Sequence, residues 1–183
     1  MRILIADDEA IIRMGLKKAL QEMGHAVVTA VNGREAIRMA ESQRPDLAIL
    51  DIKMPYTDGL QAAKVISRAH PLPILLLTAF SEQDLIEKAT DLPIHGYLIK
   101  PIKPGELAAA IAVARKRFEE SQQLAAQTAK LETALEERKL IDQAKGKLME
   151  TGMSEAEAHQ ALQLYARQKR QTIAQVARAL LKK

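Results

Sequence analysis

Leu47-Ala48-Ile49-Leu50-Asp51 is the stretch that decides how this chain folds. Four apolar residues run straight into a carboxylate, and Ile52-Lys53-Met54-Pro55 then leads to a polar turn at Asp58-Gly59. A run this short and this apolar, bounded by turn residues, predicts a strand buried on both faces of a parallel sheet. Ligands of open α/β sheets bind outside the carboxyl ends of the strands, so Asp51 is expected at a reactive edge. Ile3-Leu4-Ile5-Ala6 repeats the pattern and delivers Asp7 and Asp8 to the same edge.

Working outward, short apolar runs alternate with helix-period segments through residue 117, which predicts an α/β domain of five βα units around a parallel sheet. Strands are expected at residues 3–6, 26–29, 47–50, 74–77 and 97–99. Ile12, Leu16, Leu20 and Met23 keep helical spacing, as do Ala62, Val65, Ile66 and Ala69. The fifth helix opens at Pro104, a favourable first-turn residue. From Glu106 to Glu150 no Pro follows and Gly146 is the only Gly. Residues 118–137 are therefore read as a helical linker. Leu124, Thr128, Leu131 and Leu135 form a seam of about two heptads that suits a coiled coil with a second copy. An amphipathic helix lying on its own chain is the competing reading.

Residues 138–183 predict a small three-helix bundle. Thr151-Gly152 ends the long helix, and Ser154-Glu155-Ala156-Glu157 has the form of a capping box. Ala158, Ala161, Leu162 and Tyr165 make the apolar face of the next helix, and Thr172 can cap the last one. Gly146 in a helix interior costs about 1 kcal/mol relative to Ala. Close approach by another helix or by nucleic acid is its expected reason.

The 183 residues are 48% apolar and 27% charged but only 3% aromatic, so aliphatic side chains must build the cores. There are no cysteines, which excludes disulfides and thiolate metal sites. No apolar run approaches the ~20 residues of a membrane helix, and the N-terminus enters a strand at once without a leader pattern. A cytoplasmic location is expected. Net charge is +2 over residues 1–117, −2 over 118–132 and +4 over 133–183. A polyanion would therefore be bound at the C-terminal end.

Three carboxylates gathered without a cation would repel one another. Mg²⁺ resolves that conflict, because it takes a few carboxylate oxygens, keeps waters and bridges to phosphate. A carboxylate beside it can also attack a phosphoryl group. Phosphoryl transfer needs positioning and charge neutralisation, which draws in Thr78 after the fourth strand and Lys100 after the fifth.

Asp7-Asp8, Asp51 with Met54-Pro55 and Asp58-Gly59, Thr78-Ala79, and Tyr97 ahead of Lys100-Pro101 together resemble the receiver domain of two-component response regulators. The resemblance implies a flavodoxin-like 2-1-3-4-5 sheet over residues 1–117 and no enzymatic turnover. It implies that Asp51 accepts phosphate from a sensor histidine kinase, while Asp7, Asp8, Asp51 and the main-chain carbonyl of Lys53 hold Mg²⁺. Thr78 and Lys100 would contact the phosphoryl group, and Tyr97 would be the aromatic that moves on activation. Asp91-Leu92-Pro93-Ile94-His95-Gly96 departs from the family's usual approach to Tyr97, which leaves the path of the fourth helix open.

Ile141-Asp142-Gln143-Ala144-Lys145-Gly146-Lys147-Leu148-Met149, with Ser154-Glu155-Ala156-Glu157-Ala158 and Thr172-Ile173-Ala174-Gln175-Val176-Ala177, resembles the ANTAR module of antitermination regulators. That implies an RNA-binding output acting on structured leader transcripts. Lys145, Lys147, Arg167, Lys169 and Arg170 are the candidate RNA contacts, since cations on a phosphate backbone supply affinity. Tyr165, the one aromatic of the tail, is expected more in the core than as a stacking platform. A homodimer, formed on phosphorylation or independently of it, is expected from the linker seam. The alternative is a receiver with a DNA-binding or protein-binding helical output.

Overall fold

The computed structural model describes residues 1–79 and 92–181. Within its first compact unit, residues 1–122, the strands are β1 (Arg2–Ala6), β2 (Ala26–Ala30), β3 (Leu47–Asp51), β4 (Ile74–Thr78) and β5 (Gly96–Ile99). All pair in parallel, in the order β2-β1-β3-β4-β5. This is the flavodoxin-like order expected from the sequence. The helices in this unit are α1 (Ala10–Glu22), α2 (Gly33–Gln43), α3 (Gly59–Ala69) and the start of α4 (Pro104–Met149). The expected fourth helix falls outside the described residues.

Side chains on a strand alternate between faces, and the core divides accordingly. Leu4, Ala6, Ala48, Leu50, Ile74 and Leu76 pack with Ala36 and Ala40 of α2 and Ala62, Ala63 and Ile66 of α3. Ile3, Ile5, Leu47, Ile49, Leu75 and Leu77 pack on the other face with Leu16 and Leu20 of α1 and Leu107, Ile111 and Ala114 of α4. β3 is buried along its whole length. A strand with both faces covered cannot slip register without losing both contacts, so Asp51 is delivered to a fixed place.

Two glycines hold the segment after β3. A Cβ on Gly59 would lie 2.0 Å from the carbonyl oxygen of Asp51, and one on Gly33 would lie 2.3 Å from that of Thr57. Gly59 donates its N–H to Ile52 O at 3.0 Å and Gly33 to Thr57 O at 3.1 Å. Asp58 caps α3 by accepting from Gln61 N at 2.7 Å, as Asn32 caps α2 by accepting from Glu35 N at 2.9 Å. Gly59→Ala therefore has backbone to displace. A loss of about 1–3 kcal/mol is expected in urea melts of the full chain, along with slower phosphoryl acceptance; an unchanged midpoint would show that the close approach is relieved elsewhere.

His95, in the segment that departs from the family pattern, is buried, and its ring meets Phe118 edge-on with centroids 5.3 Å apart. Its Nδ1 accepts the N–H of Ile74 at 3.1 Å, which requires the neutral ring protonated at Nε2. Burial, and then the nearby Arg117, lower its pKa from the ordinary value. The departure thus has a packing role between β4 and α4.

The second unit covers residues 123–183 and contains the rest of α4, α5 (Glu155–Lys169) and α6 (Ile173–Leu181). Ala144, Leu162, Ala166, Val176 and Ala177 form its core. The Ser154–Glu157 capping box forms as expected, and Thr172 Oγ1 accepts from Gln175 N at 3.2 Å. Two expectations change. On α5 the buried positions are Ala158, Leu162 and Ala166, while Tyr165 stands 49% exposed. The helical stripe is centred one residue further along than the sequence suggested. Among the described residues, nothing beyond its own stretch of helix lies within 4 Å of a Cβ placed on Gly146, so the close approach of another described helix does not explain this glycine. The seam residues Leu124, Leu131 and Leu135 are 65%, 72% and 54% exposed, which disfavours a linker folded on its own chain.

Candidate functional site

At the carboxyl edge of the sheet, β1 and β3 are in register from Ile3 with Leu47 to Ala6 with Leu50. One further step sets Asp7 beside Asp51. Asp7 is fully buried and Asp51 nearly so, whereas Asp8 and Glu9 are exposed. Lys100 reaches across from the end of β5, its Nζ 2.7 Å from Asp51 Oδ1 and 2.8 Å from Asp7 Oδ2. Burial alone would lower the Lys100 pKa, but hydrogen bonds to Asp51 and then Asp7, with their charges, outweigh it and raise the pKa well above the ordinary lysine value. Its ammonium form is fixed at neutral pH.

Glu9 is a third carboxylate on this lysine, at 3.4 Å, and the sequence reading had not singled it out. Its signal is position, two residues after Asp7 at the opening of α1. Arg13 braces the same turn, donating to the carbonyls of Asp7 at 2.7 Å and Asp8 at 3.0 Å. Thr78 is buried at the end of β4, and its hydroxyl donates to Ala79 O at 3.1 Å. Tyr97 lies on the edge strand, 36% exposed, and burial raises its pKa from the ordinary value. Lys53 is exposed in the segment after β3. Asp7, Asp51 and Lys100 are thus brought into direct contact; Asp8 and Lys53 line one cleft, Thr78 ends β4, and Tyr97, opposite Leu76, lies two residues back from the edge.

The chain matches the family model for the response regulator receiver domain over residues 3–112 and the ANTAR domain model over residues 129–181. It belongs to the response regulators. The transcriptional regulatory protein PdtaR of Mycobacterium tuberculosis is 44% identical over 183 residues, spanning 98% of this chain and 89% of that protein. Among solved structures, the receiver domain of AraT, a response regulator from Geobacillus stearothermophilus, is 34% identical with a TM-score of 0.59, over 66% of this chain and 97% of that one. Chemotaxis protein CheY4 of Vibrio cholerae is 31% identical with a TM-score of 0.58, over 61% and 95%. This response regulator therefore joins a receiver to an output of the RNA-binding antitermination class, a non-enzymatic kind of protein. A histidine kinase partner follows from the receiver at the level of the family.

Receiver domains generally bind Mg²⁺ at the phosphorylation site. The donors here fit a hard cation: Asp7 Oδ2 is buried and faces the Lys100 ammonium, a charge that a cation could supplement, Asp51 stands at the matching position of β3, and Asp8 follows Asp7 in the chain. Among the described residues no three acidic or imidazole groups form a closed metal cage. Mg²⁺ does not need one, since it keeps several waters and takes few protein ligands.

In the second unit the expected RNA contacts divide. Lys145 is held by Asp142 at 2.9 Å and Glu155 at 2.8 Å, its side chain 16% exposed, so it ties α4 to α5. Its hydrogen bond to Glu155 and then that to Asp142 raise its pKa, and the pKa values of both acids are lowered in return. Lys147 donates to Leu180 O at 3.2 Å at the end of α6. Arg167, Lys169 and Arg170 cluster in exposed positions at the end of α5, with Lys169 Nζ 5.7 Å from the Tyr165 ring centroid. Among the described residues no helix is long and apolar enough to cross a membrane.

Proposed function

We propose that Asp51 accepts a phosphoryl group from a sensor histidine kinase in the cytoplasm, and that this aspartyl phosphate controls RNA binding by the C-terminal unit. The observation that carries the reading is the Lys100 ammonium held between Asp51 and Asp7. In the transfer, an Asp51 carboxylate oxygen attacks phosphorus, the bond from phosphorus to the kinase imidazole nitrogen breaks, and that nitrogen keeps the electron pair. Lys100 stands where the phosphoryl oxygens gather charge, so its partner changes from carboxylate to phosphate. Thr78, at the same edge, supplies a hydroxyl to a further oxygen. Asp7, Asp8, Asp51 and the carbonyl of Lys53 would hold Mg²⁺, which when bound neutralises phosphoryl charge. Tyr97 is the aromatic whose half-covered position would respond to Thr78.

Arg167, Lys169, Arg170 and Lys147 supply the cations for the RNA backbone, with Lys145 acting first as a tie within the unit. The exposed seam of Leu124, Thr128, Leu131 and Leu135 supports pairing with a second copy. One experiment tests the output: filter binding of the full chain, with and without a small-molecule phosphodonor, to structured RNA and to duplex DNA across a salt series. Tighter binding to RNA, changed by the phosphodonor, is expected; equal affinity for both nucleic acids removes the RNA assignment. Sedimentation of the same samples is expected to show a dimer in at least one state. A monomer in both states rejects the seam.

A further inference from the structure

We propose that Tyr165, with the apolar cleft it borders, is a pocket for one unstacked nucleobase of a single-stranded RNA loop. This rests on the RNA-binding reading above and names the part of the RNA that the unit grips. Tyr165 is the only aromatic in residues 123–183, yet the core forms without it and leaves it half exposed. Its exposed ring and the apolar cleft it borders make one continuous apolar surface open to a ligand.

The cleft beside it encloses about 230 Å³ and is walled by Leu148, Leu162, Val176 and Leu180. Pockets for drug-sized ligands run from about 300 to 1,000 Å³, so this one suits a single flat ring system rather than a longer ligand. Two cations touch its lining residues. Lys169 sits near the Tyr165 ring, and Lys147 reaches the carbonyl of Leu180, a wall residue. Among the described residues, no acidic side chain lines the cleft. An apolar slot with an aromatic wall and ammonium groups against its lining residues complements a base with its adjoining phosphates. Single-stranded RNA is gripped in this way, because unpaired bases in loops can be splayed out and stacked on aromatic rings. A paired stem offers no such base, so the cleft would distinguish loop from stem where the cations alone would not.

The test compares the full chain with Tyr165→Ala, Tyr165→Leu and Tyr165→Phe. The probes are an RNA hairpin with a randomised single-stranded loop and the same stem closed as a continuous duplex. The parent is expected to bind the hairpin tighter by about tenfold or more, the scale of one base–aromatic stack. Tyr165→Ala and Tyr165→Leu should fall to duplex affinity, Tyr165→Phe should keep the preference, and duplex binding should stay within about twofold throughout. Tyr165→Leu retains apolar cover, so it reports on stacking even where the alanine variant loses its fold. 2-Aminopurine in the loop should be quenched by the parent and not by Tyr165→Leu. Hairpin preference unchanged in a folded Tyr165→Leu overturns the pocket while leaving RNA binding intact. A parent that binds neither RNA removes the RNA-binding reading and the pocket with it. A shift of the RNA-free leucine variant to a smaller sedimenting species would assign the cleft to a second copy of the chain and also overturn the proposal.

Discussion

Asp51→Asn is expected to abolish phosphoryl acceptance, with labelling from a small-molecule phosphodonor falling to background. The amide keeps the size and planarity of the carboxylate, so β3 and its packing on both faces of the sheet are retained. What disappears is the charge and the nucleophilic oxygen pair, and an amide oxygen does not form the acyl phosphate. In the parent, the label should be released by hydroxylamine, as an acyl phosphate requires. Thermal melts of the two proteins guard against a trivial result, since a variant that folds and still labels to the parent's level would remove Asp51 from its role. The expected loss is of the whole signal because Asp7, the other buried carboxylate among the described residues, sits one strand away with its Oδ1 already accepting the N–H of Glu9 at 2.8 Å and its Oδ2 beside Lys100.

Much of this arrangement was legible because it is written in short-range pattern. β1 and β3 are apolar runs ending in acids, and the parallel sheet follows from their alternation with helix-period segments. Asp7, Asp51 and Lys100 could be assigned to one edge for the same reason. What was not legible depends on contacts that exist only once the chain is folded. The reach of Lys100 to Glu9 joins the two ends of the domain, and the approach of Gly59 to the Asp51 carbonyl and the brace from Arg13, though short in sequence, depend on the exact turn of the backbone rather than on residue pattern. His95 reads in sequence as a departure from a family pattern, while its role against Ile74 and Phe118 depends on the sheet and α4 being in place. The buried stripe on α5 was misplaced by one residue because Tyr165 and Ala166 both fit a helical period, and only packing decides between them. Lys145 looked like a free cation until α5 brought Glu155 to it.

Lys100→Met is expected to lower the stability of the metal-free chain by about 3–4 kcal/mol, the lower part of what breaking a buried ion pair costs. The lower part applies because the Lys100 side chain is 16% exposed, although Asp7 is not exposed at all. Methionine preserves much of the stem's volume, so the loss isolates the charge. It leaves Asp7 and Asp51 facing each other across the gap that the ammonium had bridged at 2.8 and 2.7 Å. The pH dependence has a definite sign. In the parent the Lys100 pKa is raised on folding, so its contribution is fully present below the ordinary lysine pKa and is lost only as pH rises through and beyond it. Around neutrality the parent therefore shows no titration from this group. In the variant Asp7 and Asp51 lose the ammonium that lay between them. Mg²⁺ can replace part of that charge: a cation bound to the folded state stabilises it by RT ln(1 + [Mg²⁺]/Kd). The melting temperature should thus rise more steeply with Mg²⁺ in Lys100→Met than in the parent, while phosphoryl acceptance stays impaired because the phosphate has lost its ammonium partner. A variant as stable as the parent without metal, with the same response to Mg²⁺, would mean that Lys100 does not balance these acids, and the reading of this edge as a charge-compensated phosphoryl site would fail with it.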